Sequence, residues 1–253
     1  MKIYNNGRIT DDIIETSVKS PHFRSGNGFF ETICYNGNEI CHLKKHIDRL
    51  STSLADFGMD KPDFDAEKGI MDVIIANNLK DKVCRVNIFA VESPYGTDMI
   101  ITAEEYAGSP DVFKLNIHDK FQISTMNRYK STSWMHHQNA RKRALDGGYD
   151  DALLVDEHNR VFETATASIV FKKEGRFITT TSENRLAGIS LELLKELRPV
   201  EEKEITLRDF MGMQNCYVLN SMIGIKPVES ISVFNFEVDS ESVEYIADII
   251  LQR

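Results

Sequence analysis

The stretch RVFETATASIVF, residues Arg160 to Phe171, sets a single carboxylate, Glu163, between an apolar run and five small residues: Thr164, Ala165, Thr166, Ala167 and Ser168. The chain then turns apolar again. The β-branched and aromatic residues on either side read as two short strands, RVFE and SIVFKK, and the small residues between them as a tight turn. Taken alone, Glu163 is an acid at an exposed strand end.

Working outward from this stretch, DALLVDE reads as a preceding strand with a turn near Asn159, and a helix is expected at roughly 133 to 147. Downstream come a strand at RFITT, a helix starting after Gly188, and strands near NCYVLN and KPVESI. The terminal DSESVEYIADIILQR carries an apolar helical stripe behind an Asp/Ser start suited to a cap. In the first half, FFETICYNGNEICHL reads as two short strands around Asn36-Gly37, a pair that tolerates positive φ. HLKKHIDRLSTSLADFG spaces Leu43, Ile47, Leu50 and Leu54 as a helix that stops at Gly58, and DAEKGIMDVIIANN is a second helix. KVCRVNIFAVE and DMIITAEEY are strands, so two short helices should lie over an antiparallel sheet. A connection from about Phe113 to Ser124 leads to the second half. The fold class is therefore α+β: a small N-terminal α/β domain over 1–115 and a larger mixed α/β domain over 116–253.

With 253 residues, 42% hydrophobic and 27% charged, the chain has enough apolar material for such a core. A formal net charge of -9 disfavours duplex nucleic acid and anionic membranes, leaving small molecules as the expected partners. The amino terminus has no signal-peptide core, and no stretch approaches the roughly 18 apolar residues of a membrane span, so a cytoplasmic protein is expected. Cys34, Cys41, Cys84 and Cys216 contain no C-x-x-C pair and read as reduced, buried thiols.

Several residues are candidates for chemistry. Lys130, in NRYKSTSWMHHQ, lies just before a helix among polar neighbours, where an amine could serve as a nucleophile; a lone lysine is also commonly a solvated surface residue. Arg49 is a candidate phosphate fork, or a surface charge pairing with Asp48 or Asp56. Gly188, Ile189 and Ser190 begin a helix whose free N–H groups would attract a phosphate, and Ser221 in LNSMIG is a further hydroxyl. His42 and His46 have the i, i+4 spacing of a metal pair, but no third ligand or H-E-x-x-H motif accompanies them, so no metal is expected. His136 and His137 are adjacent and should diverge on a helix. GNG at 26 to 28 is too short for a dinucleotide fingerprint, and no G-x-S-x-G elbow occurs.

The order and spacing of these groups, from about RSGNGFFETI to KPVESI, resemble the class IV aminotransferase family, the fold-type IV pyridoxal phosphate enzymes. His46-Ile47-Asp48-Arg49-Leu50 is similar to that family's H-x-x-R-L helix, GYDDALLVD to its G-x-D-E-A-L-x-x-D strand, and Gly188-Ile189-Ser190 to its G-I-T helix start. The resemblance implies that Lys130 carries pyridoxal 5'-phosphate as a Schiff base and moves protons at the substrate α-carbon. It also implies that Glu163 pairs with the pyridine nitrogen, and that Arg49, Ile189, Ser190 and Ser221 hold the phosphate. Small residues beside Glu163 would then leave room for a flat cofactor. The family further implies a cofactor between the two domains, a small-molecule amino substrate and a homodimer.

Departures from the family bear on the substrate. Ser168 replaces a common Asn and Leu191 a common Arg; Phe30 and AVESPYG depart from D-amino acid transaminases, and Met135 and LNSMIG from branched-chain enzymes. The pattern is nearest to aminodeoxychorismate lyase, which eliminates pyruvate from 4-amino-4-deoxychorismate to leave 4-aminobenzoate for folate synthesis. The alternatives are an amino acid transaminase of the same family, for branched-chain or other amino donors, and a non-catalytic cofactor-binding member.

Overall fold

The computed structural model describes residues 1–120, 123–181 and 183–253. They form two compact units, one made of 1–107 with 129–134 and the other of 108–128 with 135–253.

The first unit is built on five strands: β1 (Lys2–Asn5), β2 (Arg8–Asp11), β3 (Gly28–Asn36), β4 (Val83–Ser93) and β5 (Gly96–Glu105). All pairs are antiparallel, in the order β2-β1-β5-β4-β3. Helix α1 is Pro21–Ser25, and two longer helices, α2 (Leu43–Asp56) and α3 (Ala66–Ala76), cover one face of the sheet. Alternation explains the cover: Phe29, Ile33 and Tyr35 of β3 and Val86, Ile88 and Ala90 of β4 share a core with Leu50, Leu54, Ile70, Val73 and Ile74 of the helices. Asp65 caps α3 by accepting the Lys68 N–H at 2.9 Å.

Two local expectations change. The Asn36-Gly37 turn exists, with Gly37 at φ 96°, and Asn36 Oδ1 accepts the N–H groups of Asn38 and Glu39. Its return arm is a single bridge between Tyr35 and Ile40, because the chain enters α2 at once and β3 spends its pairing on β4. The N-terminal hairpin β1–β2 is an addition. Its signal is Asn6-Gly7, both at positive φ, between runs carrying Ile3 and Ile9.

In the second unit the strands are β6 (Phe113–His118), β7 (Asp151–Val155), β8 (Val161–Thr164), β9 (Ser168–Lys173), β10 (Arg176–Thr180), β11 (Val200–Lys203), β12 (Asn215–Asn220), β13 (Gly224–Ile231) and the short β14 (Phe234–Asn235), which pairs with β13. Apart from β14 they run in the order β11-β10-β9-β12-β13-β6-β7-β8, with parallel pairs at β10–β11, β13–β6 and β6–β7. The expected connection over 113 to 124 thus begins as a strand of this sheet; residues 121 and 122 lie outside the described ones. Helix α4 (Met135–Asp146) packs on β7, while α5 (Ile189–Leu197) and α6 (Glu244–Leu251) pack on β12 and β13. β7 is buried at every position: the apolar run Ala152 to Val155 suits a strand covered on both faces, and Asp151 at its start is buried with hydrogen-bond partners. All four cysteines are buried. Among the described residues no helix is long and apolar enough to cross a membrane.

Candidate active site

In the first unit, residues 129–134 attach to the free edge of β3. The Phe30 N–H donates to the Lys130 carbonyl at 2.8 Å, the Thr132 N–H to the Gly28 carbonyl at 2.9 Å, and Phe29 bridges Ser131. Thr132 Oγ1 donates to the Gly26 carbonyl at 2.6 Å, and Tyr129 to Asp56 at 2.9 Å. The glycines of GNG permit this approach: a Cβ on Gly28 would sit 2.8 Å from the Ala90 carbonyl oxygen and 3.1 Å from Thr132 Oγ1. That is the work of the motif whose spacing excluded a dinucleotide.

This edge places the half-buried Lys130 against rings, not among the polar neighbours that its sequence context suggests. Its Nζ lies 4.3 Å from the Phe30 ring centroid and 5.4 Å from that of Trp134. Phe30 in turn stacks on Phe89 at 5.9 Å and meets Trp134 edge-on. The reason is register: Lys130 pairs with Phe30, whose cross-strand partner is Phe89.

Arg49 pairs with Glu31. Its Nε and Nη2 fork onto the two oxygens of Glu31 at 2.8 and 2.6 Å, and Glu31 also accepts His46 Nδ1 at 2.7 Å. Asp48 is taken by Lys44 and Asp56 by Tyr129. Burial alone would raise the Glu31 pKa, but the Arg49 charge and the hydrogen bonds from His46 and Arg49 outweigh it and hold the carboxyl at about 2. Burial lowers the His46 pKa, opposed by Glu31 and reinforced by the charges of Arg49 and Lys130. His46 is therefore neutral, with Nδ1–H donating to Glu31. This accounts for His46 without a metal, and no group of metal-binding side chains occurs among the described residues.

The second unit holds the remaining predicted residues. Glu163, at the end of β8, is buried; Oε1 accepts the Leu186 N–H at 3.2 Å and lies 3.8 Å from His137 Nε2. Arg185 is partly buried, and desolvation lowers its pKa against the pull of Glu163 and Glu202. The small residues that follow form a turn built on Asp151, whose Oδ2 accepts Thr164 Oγ1 and Thr166 Oγ1, each at 2.7 Å, and the Thr166 N–H at 3.1 Å. The threonines are thus both small and specifically bonded. Asn220 Nδ2 donates to the Thr166 carbonyl at 3.1 Å, while its Oδ1 accepts the N–H groups of Met222 and Ile223, so the turn carrying Ser221 is tied to the turn after Glu163.

Ile189 and Ser190 open α5 after Gly188, at φ -73° and ψ 127°, with no side-chain cap on the helix. Ser190 is 2% exposed, and its Oγ has no hydrogen-bond partner among the described residues. A buried orphan hydroxyl is costly unless a ligand supplies an acceptor. At a helix start that ligand is best an anion. A Cβ on Gly188 would lie 2.5 Å from Ser168 Oγ, so the helix start presses on β9. One group of predicted residues, Glu163, Ile189, Ser190 and Ser221, therefore belongs to the second unit, and Arg49 and Lys130 to the first. Glu31 and Asp151 are polar residues that reading for chemistry passes over, and His46 was read only as a possible metal ligand and as part of a motif. The signal for His46 was its place in H-x-x-R; Glu31 and Asp151 had only an acid in an apolar strand.

Residues 28–231 match the family model for amino-transferase class IV. The chain belongs to the class IV amino-transferase family. Among curated relatives of this class IV chain, a probable branched-chain-amino-acid aminotransferase of Rickettsia felis is 28% identical, covering 88% of this chain and 83% of the relative. A putative one of Methanocaldococcus jannaschii is 26% identical over 96% and 90% of the two chains. An aminodeoxychorismate lyase of Vibrio harveyi is 23% identical over 86% and 88%. The fold matches a branched-chain aminotransferase of Thermoproteus uzoniensis solved with norvaline, with a TM-score of 0.86 at 22% identity over 99% and 93% of the chains. It also matches a putative 4-amino-4-deoxychorismate lyase of Legionella pneumophila, with a TM-score of 0.84 at 21% identity over 96% of each. Class IV enzymes use pyridoxal 5'-phosphate. The orphan Ser190 hydroxyl at a helix start, the buried Glu163 and the forked Arg49 are groups that suit its phosphate and its ring nitrogen.

Proposed function

We propose that this class IV enzyme is a transaminase for amino acids with apolar, branched side chains. The observation that carries the reading is the aromatic surround of Lys130. Phe30, Phe89 and Trp134 give the reacting amine an apolar neighbourhood, which suits a leucine-like donor better than a polar, doubly carboxylated chorismate derivative. The relatives support it, since several that align over most of this chain bear the branched-chain name. LNSMIG departs from branched-chain enzymes, and one relative carries the lyase name.

Bound pyridoxal phosphate supplies an electron-withdrawing ring that stabilises negative charge at the substrate α-carbon. Lys130 would hold the cofactor through its amine, and the same amine would move the proton at that carbon. Glu163 keeps the ring nitrogen protonated. Arg49, the N–H groups of Ile189 and Ser190, and the hydroxyls of Ser190 and Ser221 hold the phosphate. A homodimer goes with the family reading, and sedimentation of the purified protein tests it.

The deciding assay incubates the cofactor-loaded enzyme with leucine and 2-oxoglutarate, and separately with 4-amino-4-deoxychorismate and no keto acid. Glutamate from the first mixture is the expected result. Release of 4-aminobenzoate from the second, with no amino transfer in the first, reverses the choice.

A further inference from the structure

Glu31 is 1% exposed, and three donors converge on its two oxygens, two from Arg49 and one from His46. All of them come from one helix face, since His46 and Arg49 are three residues apart on α2. Two parallel N–H···O bonds fix the plane of a guanidinium as well as its position. The Arg49 side chain nevertheless remains 18% exposed, so the group that Glu31 orients is not sealed in the core. His46 is neutral, so the three side chains carry about one positive and one negative charge together.

We propose that Glu31 is a positioning residue: it holds the Arg49 guanidinium in one orientation to meet the phosphate ester of the cofactor, with His46 as a second anchor on the carboxylate. The inference rests on the reading that Arg49 meets that phosphate. Two effects of Glu31 oppose each other. Its negative charge repels a phosphate dianion, while its fork removes the rotameric freedom that a long arginine would lose on binding. The fork wins here because both oxygens are engaged at 2.6 to 2.8 Å, which spends the carboxylate's charge on its partners.

The sign of one measurement separates the two effects. Apoprotein is titrated with pyridoxal phosphate and with pyridoxal, which has the same ring and aldehyde but no phosphate, and the ratio of the two affinities is taken. For Glu31→Gln the ratio falls about tenfold while pyridoxal affinity holds. A ratio that stays level or rises, or a parallel loss of both affinities, overturns the proposal. Should Glu31→Gln not fold, His46→Leu decides, with a smaller fall in the same ratio expected and no change overturning it. Arg49→Gln tells the two failures apart. If it collapses the ratio and Glu31→Gln does not, only the positioning role is lost; if it leaves the ratio intact, the reading of Arg49 fails and the proposal goes with it.

Discussion

Single side chains carry the chemistry, and each makes a separate demand on experiment. Lys130→Ala is expected to lower turnover by about 10²–10⁴-fold and to abolish the cofactor adduct that borohydride traps, read by peptide mass mapping. Ser190→Ala should act in two directions. Removing a buried hydroxyl without a partner should leave apoprotein stability unchanged or raise it by about 1 kcal/mol, while phosphate-ester affinity falls about tenfold. Chemical denaturation and cofactor titration read the two effects. Glu31 and His46 predict an acid-labile core. Both pKa values are depressed by folding, so each group binds protons more readily when unfolded, and stability falls as pH drops. The decline should start near pH 6.5 through His46 and continue from about 4.5 to about 2 through Glu31. Urea midpoints against pH test it, and Glu31→Gln should flatten the lower part of the curve. Sequence exposed Arg49, His46 and Lys130 because each sits in a motif of recognisable type and spacing. Glu31 was hidden because an acid at position 31 looks the same whether it faces solvent or a buried arginine.

Elements set where those side chains stand. Position 28 leaves little room for a Cβ between Ala90 and Val91 of β4 and Thr132 of the attached segment. Gly28→Ala is therefore expected to push that segment away, with a cost of about 1–3 kcal/mol and loss of Lys130 labelling at cofactor concentrations that label the native protein. Asp151 does comparable work in the second unit. Asp151→Ala strips both threonine hydroxyls of their shared acceptor, and we expect a loss of about 2–4 kcal/mol by denaturant unfolding, with weaker cofactor binding as the turn after Glu163 loosens. Helices α2 to α6 and strands β3 to β5, β7 to β10, β12 and β13 were legible, because period 3.6 or 2 and turn residues mark them directly, whereas β6 was read as a connection and β11 was passed over. The hairpin β1–β2 was passed over although Asn6-Gly7 announced it. The second arm after Gly37 was over-read, since a turn signal specifies that the chain reverses and says nothing about how long the pairing continues.

At the scale of the whole chain, Arg49 and Lys130 belong to one unit and Glu163, Ser190 and Ser221 to the other, and a ligand that binds only the folded protein should stabilise it. Pyridoxal phosphate at a hundredfold excess over its dissociation constant is expected to add about 2.7 kcal/mol, seen as an upward shift of several degrees in a thermal scan. The shift should be smaller in Lys130→Ala. A single transition that moves as one would accord with the roles assigned across the chain; two transitions, only one of which responds, would not.

What sequence by itself determined was the inventory and its order: an α+β chain with an arginine helix, a lysine, a lone acid before small residues and a glycine-led helix start. Those features are local or follow from spacing along the chain, so periodicity and motif read them. Only the tertiary structure decided that Lys130 belongs with residues 1–107 although it lies beyond them in the chain, that Arg49 answers to Glu31, and that Thr164 and Thr166 turn to Asp151. The reason is that strand pairing and burial bring together residues far apart in sequence. A buried polar group takes the partner that satisfies it in space, and that partner cannot be read from its neighbours along the chain.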